Sequence, residues 1–429
     1  MKRAIVVLLG LVGAAVASLH GPGSAAPADS PATLLGGSLS ADPLGWAFHP
    51  TIAVAKDGSV YVAWSQHLRP ENWEHAGTWV KRWARGSWQA LGGRIGHTNR
   101  DPGGRWTEGY APSLAILDGT PYLAWYEGGG YGWGAIDGTN IRSSVFVAHW
   151  DGSQWTIDAN GAMPNRALNT DPEVAARTPA LAAVAGVIHA AWIEVRRVPD
   201  RGTYNVVVVK RLSGGRWLPV GPDLRAESAD NTRMLDLALI DAGGAPHVAW
   251  SEAATANAGG RAQVHVAKWT GTEWTRIGRS LNVSRSGFAN CVALAGSGNA
   301  LYVAWQERGL AGKNQIYVKI WDGSAWSAAP GNLNVDPDRG EAGRPALASD
   351  GSRSWLAWTE GAPGQRGGLY ARALGPGGWG TPMGPLNVDR KAGAPDGPTL
   401  GAGSSGVFLA WAEKNPPPAT KQVFVRALQ

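Results

Sequence analysis

One short phrase recurs down this chain and limits what it can fold into. It reads YVAWSQ at Tyr61 to Gln66, YLAWYE at Tyr122 to Glu127, HAAWIE at His189 to Glu194 and HVAWSE at His247 to Glu252. It returns as YVAWQE at Tyr302 to Glu307, WLAWTE at Trp355 to Glu360 and FLAWAE at Phe408 to Glu413. The central tryptophans, Trp64, Trp125, Trp192, Trp250, Trp305, Trp358 and Trp411, stand 61, 67, 58, 55, 53 and 53 residues apart. A regular period in the fifties marks a repeat architecture, in which each unit buries its apolar face against its neighbours. A length of 429 residues would ordinarily predict two or three domains, but repeats merge them into one.

Within a unit the residues spell four short strands. An apolar run such as Pro345 to Ala348 leads to the turn Asp350-Gly351-Ser352 and then to the AW strand. A third strand, Gln315 to Trp321, is followed by the turn at Asp322-Gly323-Ser324 and a fourth strand starting at Trp326; Val145 to Trp155 and Gln263 to Trp274 follow the same grammar. Dense β-branched and aromatic residues bounded by Gly and Asp turns are hairpin signals, and no helical period competes with them. The fold class expected is therefore all-β, a seven-bladed β-propeller with four antiparallel strands per blade, formed by residues 32–429 as a single domain. Val423 to Leu428 reads as the third strand of the last blade with no fourth to follow. Thr33 to Leu39 matches the fourth-strand pattern of Gln89 to Ile95. The N-terminal strand is thus expected to complete the last blade and close the ring.

Composition fits. Of 23 tryptophans, seven lie in second strands, Trp83, Trp150, Trp269 and Trp321 end third strands, and Trp88, Trp155, Trp217, Trp274, Trp326 and Trp379 open fourth strands. These are read as filler between blades, because large flat rings suit a wedge between twisted sheets. One cysteine, Cys291, excludes an internal disulfide and any zinc site built from cysteines. A net charge of +6 without dense Lys or Arg runs gives no sign of nucleic-acid binding.

Lys2 and Arg3 precede an apolar run from Ala4 to Val16 that ends in the small-x-small pattern Ala15-Val16-Ala17. Residues 1–17 are read as a signal peptide and 18–31 as a flexible leader, with an uncleaved anchor as the alternative. No later segment is apolar enough to span a membrane, so the expected location is outside the cytoplasm, in the periplasm or beyond the cell.

The phrase VKRWARGSWQALGG at Val80 to Gly93 resembles the repeat of bacterial propeller lectins, including the seven-bladed fucose-binding kind. Asp151 to Trp155 and Asp322 to Trp326 are similar, more loosely, to the Asp-box repeats of sialidases, with the Asp-to-Trp spacing one residue shorter. Both resemblances concern the repeat and imply the propeller fold. Function must come from the site.

Alternating strand direction puts the long segments, His67 to Gly77, Gly96 to Tyr110, Gly128 to Ser144 and Val195 to Gly202, on one face, which is read as the functional face. There, the residues opening the innermost strands are His49, Ala111, Thr178, Asp236, Cys291, Arg344 and Gly397, and they differ from blade to blade as a functional rim would. Cys291 lacks a histidine to activate it as a nucleophile. The acids ending the AW strands, from Glu127 to Glu413, repeat too evenly for a catalytic pair, which needs unequal environments; a structural role is expected, accepting backbone N–H bonds or pairing with arginines. Sialidase chemistry would ask for a tyrosine paired with glutamate. The tyrosines outside the repeat pattern, Tyr110, Tyr126 and Tyr131, all come early in the chain. Asp336, Asp338 and Glu341 lack the spacing of a calcium loop, and no phosphate loop, HExxH or GxSxG is present. Neither cofactor nor metal is expected. Trp46, Trp73, Trp106 and Trp133 fall in connections that the repeat does not explain, where a ring face can stack on a sugar. The reading is a secreted, non-enzymatic protein that binds a glycan through Trp46, Trp73, Trp106, Trp133, His49, Asp236 and Arg344. A sialidase-like glycosidase and an extracellular protein-interaction scaffold are the alternatives.

Overall fold

The structure is a computed structural model, and it describes residues 32–68, 76–96, 108–128, 143–159, 166–171, 173–198, 202–226, 232–254, 261–308, 312–329, 333–362, 367–375, 378–414 and 420–428. Residues 1–17 and 18–31, read above as signal peptide and leader, lie outside them. Ala32–Gln429 forms one compact unit. Its regular structure is all strand, and no helix among the described residues is long and apolar enough to cross a membrane.

The chain enters at β1 (Ala32–Leu34). The first repeat gives β2 (Trp46–Val54), β3 (Val60–His67), β4 (Gly77–Ala84) and β5 (Ser87–Ala90). The second gives β6 (Glu108–Leu117), β7 (Thr120–Gly128), β8 (Ser143–Trp150) and β9 (Trp155–Ile157), and the third β10 (Ala176–Val184), β11 (Val187–Val198), β12 (Gly202–Ser213) and β13 (Arg216–Pro219). The fourth gives β14 (Thr232–Ala242), β15 (Ala245–Ala254), β16 (Ala262–Trp269) and β17 (Trp274–Arg276), and the fifth β18 (Phe288–Ser297), β19 (Ala300–Arg308), β20 (Asn314–Trp321) and β21 (Trp326–Ala328). The sixth gives β22 (Glu341–Ser349), β23 (Ser354–Gly361), β24 (Gly368–Gly375) and β25 (Gly378–Trp379), and β26 (Ala394–Gly403), β27 (Gly406–Lys414) and β28 (Lys421–Leu428) end the chain.

Within each repeat the strands pair antiparallel in chain order. The last three take β1 as their fourth, with Ala32 opposite Leu428 and Leu34 opposite Arg426. Beyond β1 the N–H groups of Leu35 and Leu39 continue along β28 to the carbonyls of Val425 and Val423, both at 2.9 Å. The first strand of each set packs beside the first strand of the next, and β26 packs beside β2. Val195 to Gly202, read from sequence as a long connection, is mostly hairpin: β11 and β12 stay paired out to Val198 opposite Gly202. The β ladder simply continues through Val195, Arg196 and Arg197.

The AW phrase explains itself in this frame. All seven tryptophans are fully buried. Each donates its indole N–H to the side chain two residues on, from Trp64 to Gln66 Oε1 at 3.1 Å through Trp305 to Glu307 Oε2 at 2.8 Å and Trp411 to Glu413 Oε2 at 2.8 Å. The acceptor's remaining oxygen capacity binds the connection arriving from the preceding repeat. Glu307 takes the N–H groups of Val283 and Ser284, Glu360 those of Val335 and Asp336, Glu413 those of Val388 and Asp389. These buried carboxylates are joints between successive units, with their acceptor sites filled as burial requires.

The fourth-strand tryptophans tie the units a second time. Trp88, Trp155, Trp217, Trp274 and Trp326 donate to the carbonyls of Leu35, Leu91, Asp158, Val220 and Ile277, all from the preceding set, at 2.7–3.0 Å. Each of four packs at a steep tilt on a third-strand partner, as Trp274 does on Trp269 at 5.4 Å. The approach is close enough to demand glycine at Gly221, where a Cβ would stand 2.4 Å from the Trp269 ring.

Candidate functional site

Every first strand carries a bulge near its start, opposite the end of the AW strand where Gln66 and the glutamates sit. In six of them a left-handed residue makes it: His49, Ala111, Thr178, Cys291, Arg344 and Gly397, with φ between 46° and 56°. Such a backbone is costly for any side chain and most for β-branched Thr178, so these strand entries hold strain that the surrounding sheet must balance. The fourth set departs from the rule. Its bulge is one residue shorter, and Asp236 pairs in register with Ser251. The Asp236 carboxylate crosses instead to the next set, accepting the N–H of Cys291 at 2.5 Å and of Val292 at 3.2 Å.

Side chains at these entries interact from one set to the next, by ring contact, hydrogen bond or charge, in a circuit of neighbours. Phe48 lies 5.9 Å from the Tyr110 ring, and Tyr110 lies 5.7 Å from Tyr126. Burial pushes the Tyr126 hydroxyl up, against the opposing charge of Arg177. Arg177 donates to the Met234 carbonyl at 2.8 Å, and burial drops its guanidinium to about 10. Burial raises Asp236 to about 6, although the Cys291 and Val292 N–H groups and Arg177 pull the other way. Burial and the Asp236 charge push the Cys291 thiol up to about 12, which leaves it protonated and unreactive at neutral pH. Arg344, which also faces Cys291, binds Asp396 at 2.8 Å, and Lys421 binds the other Asp396 oxygen at 2.5 Å. Burial works against the Asp396 charge, but Arg344 and Lys421 hold its carboxyl below the usual range. Burial, then Arg344, brings His49 down to about 4, so its imidazole is neutral at pH 7. His49 follows Phe48 in the chain, and their rings stand 5.1 Å apart.

The result is a row of strand entries with two unlike parts. Aromatic rings, Phe48, His67, Tyr110 and Tyr126, line the first and second sets, with Phe48 and His67 stacked at 5.3 Å. Ionic groups, Asp236, Arg344, Asp396 and Lys421, line the fourth through seventh, and Arg177 of the third set stands between. Tyr110 adds a short hydrogen bond from its hydroxyl to Glu108.

Of the residues singled out from sequence, His49, Asp236 and Arg344 meet in this circuit. Trp46 stands beside it, half-buried, with the ammonium groups of Lys414 and Lys421 at 5.2 and 6.0 Å from its ring. Trp73, Trp106 and Trp133 lie outside the described residues. Asp336 folds into its own turn, accepting the Arg339 N–H at 2.9 Å. Missed from sequence were Phe48, Tyr110, Arg177 and Asp396, each standing immediately before a left-handed residue. A bulge breaks the strict alternation of a strand, so the position before it can join the same site; knowledge of the bulge would have found all four.

Two titrations give opposite expectations. An acid whose folded pKa lies above its unfolded one favours folding while protonated, so the Asp236 contribution is complete below about 4 and lost as pH rises through about 6. The size is about 3 kcal/mol at ~1.4 per unit. His49, lowered from 6.5 to about 4, works in reverse, and its contribution is lost as pH falls through that window. Denaturant melts of the wild type and Asp236→Asn between pH 4.5 and 8 check the first. The stability difference should move against the wild type as pH rises, and a difference flat across pH 6 contradicts it.

No family model matches this sequence, and no curated protein matches it. Among solved structures the chain is similar to a Mycobacterium tuberculosis puromycin-hydrolyzing peptidase, at TM-score 0.52 and 15% identity, over 90% of this chain and 52% of that one. A Trypanosoma rangeli sialidase in complex with the inhibitor DANA aligns at TM-score 0.48 and 11% identity, over 89% and 55%. A Penicillium chrysogenum α-L-arabinanase complexed with arabinobiose aligns at 0.45 and 14%, over 74% and 92%. The chain thus spans about half the length of the peptidase and of the sialidase. At these identities the likeness to the peptidase is one of fold.

Proposed function

We propose that this protein is a secreted seven-bladed β-propeller that binds a glycan, without turning it over, at the mouth where the first strands begin. The set-to-set interactions from Phe48 around to His49 carry the proposal. They support a ring of seven blades around one axis, as do the pairing of β1 with β28 and the packing of β26 beside β2. An aromatic side facing an ionic side suits a sugar, whose C–H face stacks on rings while its hydroxyls bond charged groups. His49, Asp236 and Arg344 are the polar contacts in this reading, and Trp46 flanks them. Trp73, Trp106 and Trp133 add stacking faces from the connections of the first two blades.

A glycan array probed with purified protein tests it, and absence of any signal rejects it. Trp73→Ala and Trp106→Ala are expected to abolish the array signal with the melting temperature almost unchanged. If stability falls in step with binding, these rings pin loops to the body instead.

The Tyr110–Glu108 hydrogen bond, with Asp236 held near 6, favours a second reading, a glycosidase in which Asp236 supplies the proton. Fluorogenic glycosides decide between the two. Turnover that Tyr110→Phe removes supports hydrolysis; binding without turnover supports the first reading.

A further inference from the structure

Among the described residues the large apolar side chains left in solvent are few; three of them recur at one place in the repeat, and a fourth lies three residues past that place in the first set. Leu44 (56% exposed), Val283 (60%), Val335 (44%) and Val388 (41%) lie in the connections entering β2, β18, β22 and β26. Three of these connections share the words Leu-Asn-Val. The leucines, Leu281, Leu333 and Leu386, are buried, and the asparagine oxygens of Asn282, Asn334 and Asn387 accept the N–H groups of Val264, Ile316 and Leu369 on third strands. The valine N–H then goes to a glutamate of the next set. Each backbone is pinned on both sides, which turns the valine side chain out. Folding does not ask for valine there, since Thr170 and Ala226 make the same N–H bond in the third and fourth sets.

Cations accompany these side chains. Arg285, Arg339, Arg390 and Lys391 follow the valines in the same connections, exposed and without an ion pair among the described residues. Arg308 and Lys414 stand exposed at the ends of β19 and β27. Asp338 and Glu341 are exposed beside them, but the carboxylates of Asp42, Asp336 and Asp389 fold back to accept the N–H groups of Leu44, Arg339 and Lys391. The cations named here outnumber the carboxylates by six to five, and each connection carries one aliphatic knob.

We propose that this arc docks the protein on an anionic phospholipid bilayer. The inference rests on the ring reading above, by which equivalent places in successive units lie in one plane at the end that carries the mouth. Knobs placed one per unit along a rim are met together by a flat partner and not by a single peptide. Shallow insertion of the four aliphatic side chains, with arginine and lysine reaching the phosphates, is the arrangement such a partner takes. It turns the mouth toward the surface on which the protein rests.

Vesicle sedimentation tests it, using the chain from Ser18 so that the apolar run at Ala4 to Val16 plays no part; this retains the compact unit Ala32–Gln429. The expected result is binding to phosphatidylglycerol–phosphatidylcholine vesicles, none to phosphatidylcholine alone, and weakening by added salt. Val283→Ser, Val335→Ser and Val388→Ser combined should weaken binding about tenfold, as should Arg285→Gln with Arg390→Gln, with unchanged melting curves. Failure to bind anionic vesicles at low salt overturns the proposal, and so does full binding by the triple valine variant. Retention on an immobilised acidic polypeptide without vesicle binding also overturns it, in favour of an acidic protein partner. The vesicles carry no sugar, so a failure here is distinct from a failure of glycan binding.

Discussion

Replacing Trp305 with alanine is expected to destabilise the protein by about 3 to 5 kcal/mol, the cost of a large-to-small change in a packed core. Its ring is fully buried among Leu294, Val303, Val264 and Val266 and stacks on Tyr317 at 6.0 Å. Its N–H is one of the donors that satisfy Glu307, whose oxygens also hold Val283 and Ser284 of the arriving connection. The alanine variant therefore leaves a cavity and deprives a buried carboxylate of a donor at once. Trp305→Phe separates the two effects. It keeps most of the volume and loses the N–H, with an expected cost of about 1 to 3 kcal/mol. Urea unfolding of both variants checks the order, and a loss under about 1 kcal/mol for alanine would falsify the joint.

The same joint shows what the sequence makes legible. A residue that must fill one core position in every unit leaves a periodic trace, so the AW tryptophans, their glutamates and the fourth-strand tryptophans could all be placed before any coordinates. Asp236, Cys291 and Arg344 were found by their departure from that period at a fixed count from the tryptophan. Their chemistry was not legible, because it comes from neighbours that sequence cannot pair. Nothing in the spacing says that Asp236 bonds the backbone of the next set, or that Asp396 stands between Arg344 and Lys421. The left-handed bulges were hidden for a related reason: Thr178 and Arg344 have no preference for that backbone, and the sheet imposes it. Val195 to Gly202 shows the converse error, a segment judged a loop by length alone where the strand pairing continued.

Removing Thr33 to Leu39 is expected to cost more than any single substitution outside the core. Leu39 is fully buried, which alone contributes about 1.5 to 3 kcal/mol. The segment also supplies the Leu35 and Leu39 N–H bonds to β28 and the Leu35 carbonyl that accepts from Trp88. At about 0.5 to 1.5 kcal/mol for each bond, the total loss comes to about 5 kcal/mol. The consequence reaches beyond those contacts, because β28 would be left with an open edge available to other chains. Truncation should therefore lower the denaturation midpoint sharply and produce concentration-dependent association, and a synthetic peptide of residues 32–40 added in trans should reverse both. A truncated protein that melts with the wild type would remove the N-terminal strand from the account of how the chain closes. Loss of stability that the peptide restores would tie the effect to that one strand, since the peptide returns the contacts of that segment and nothing else.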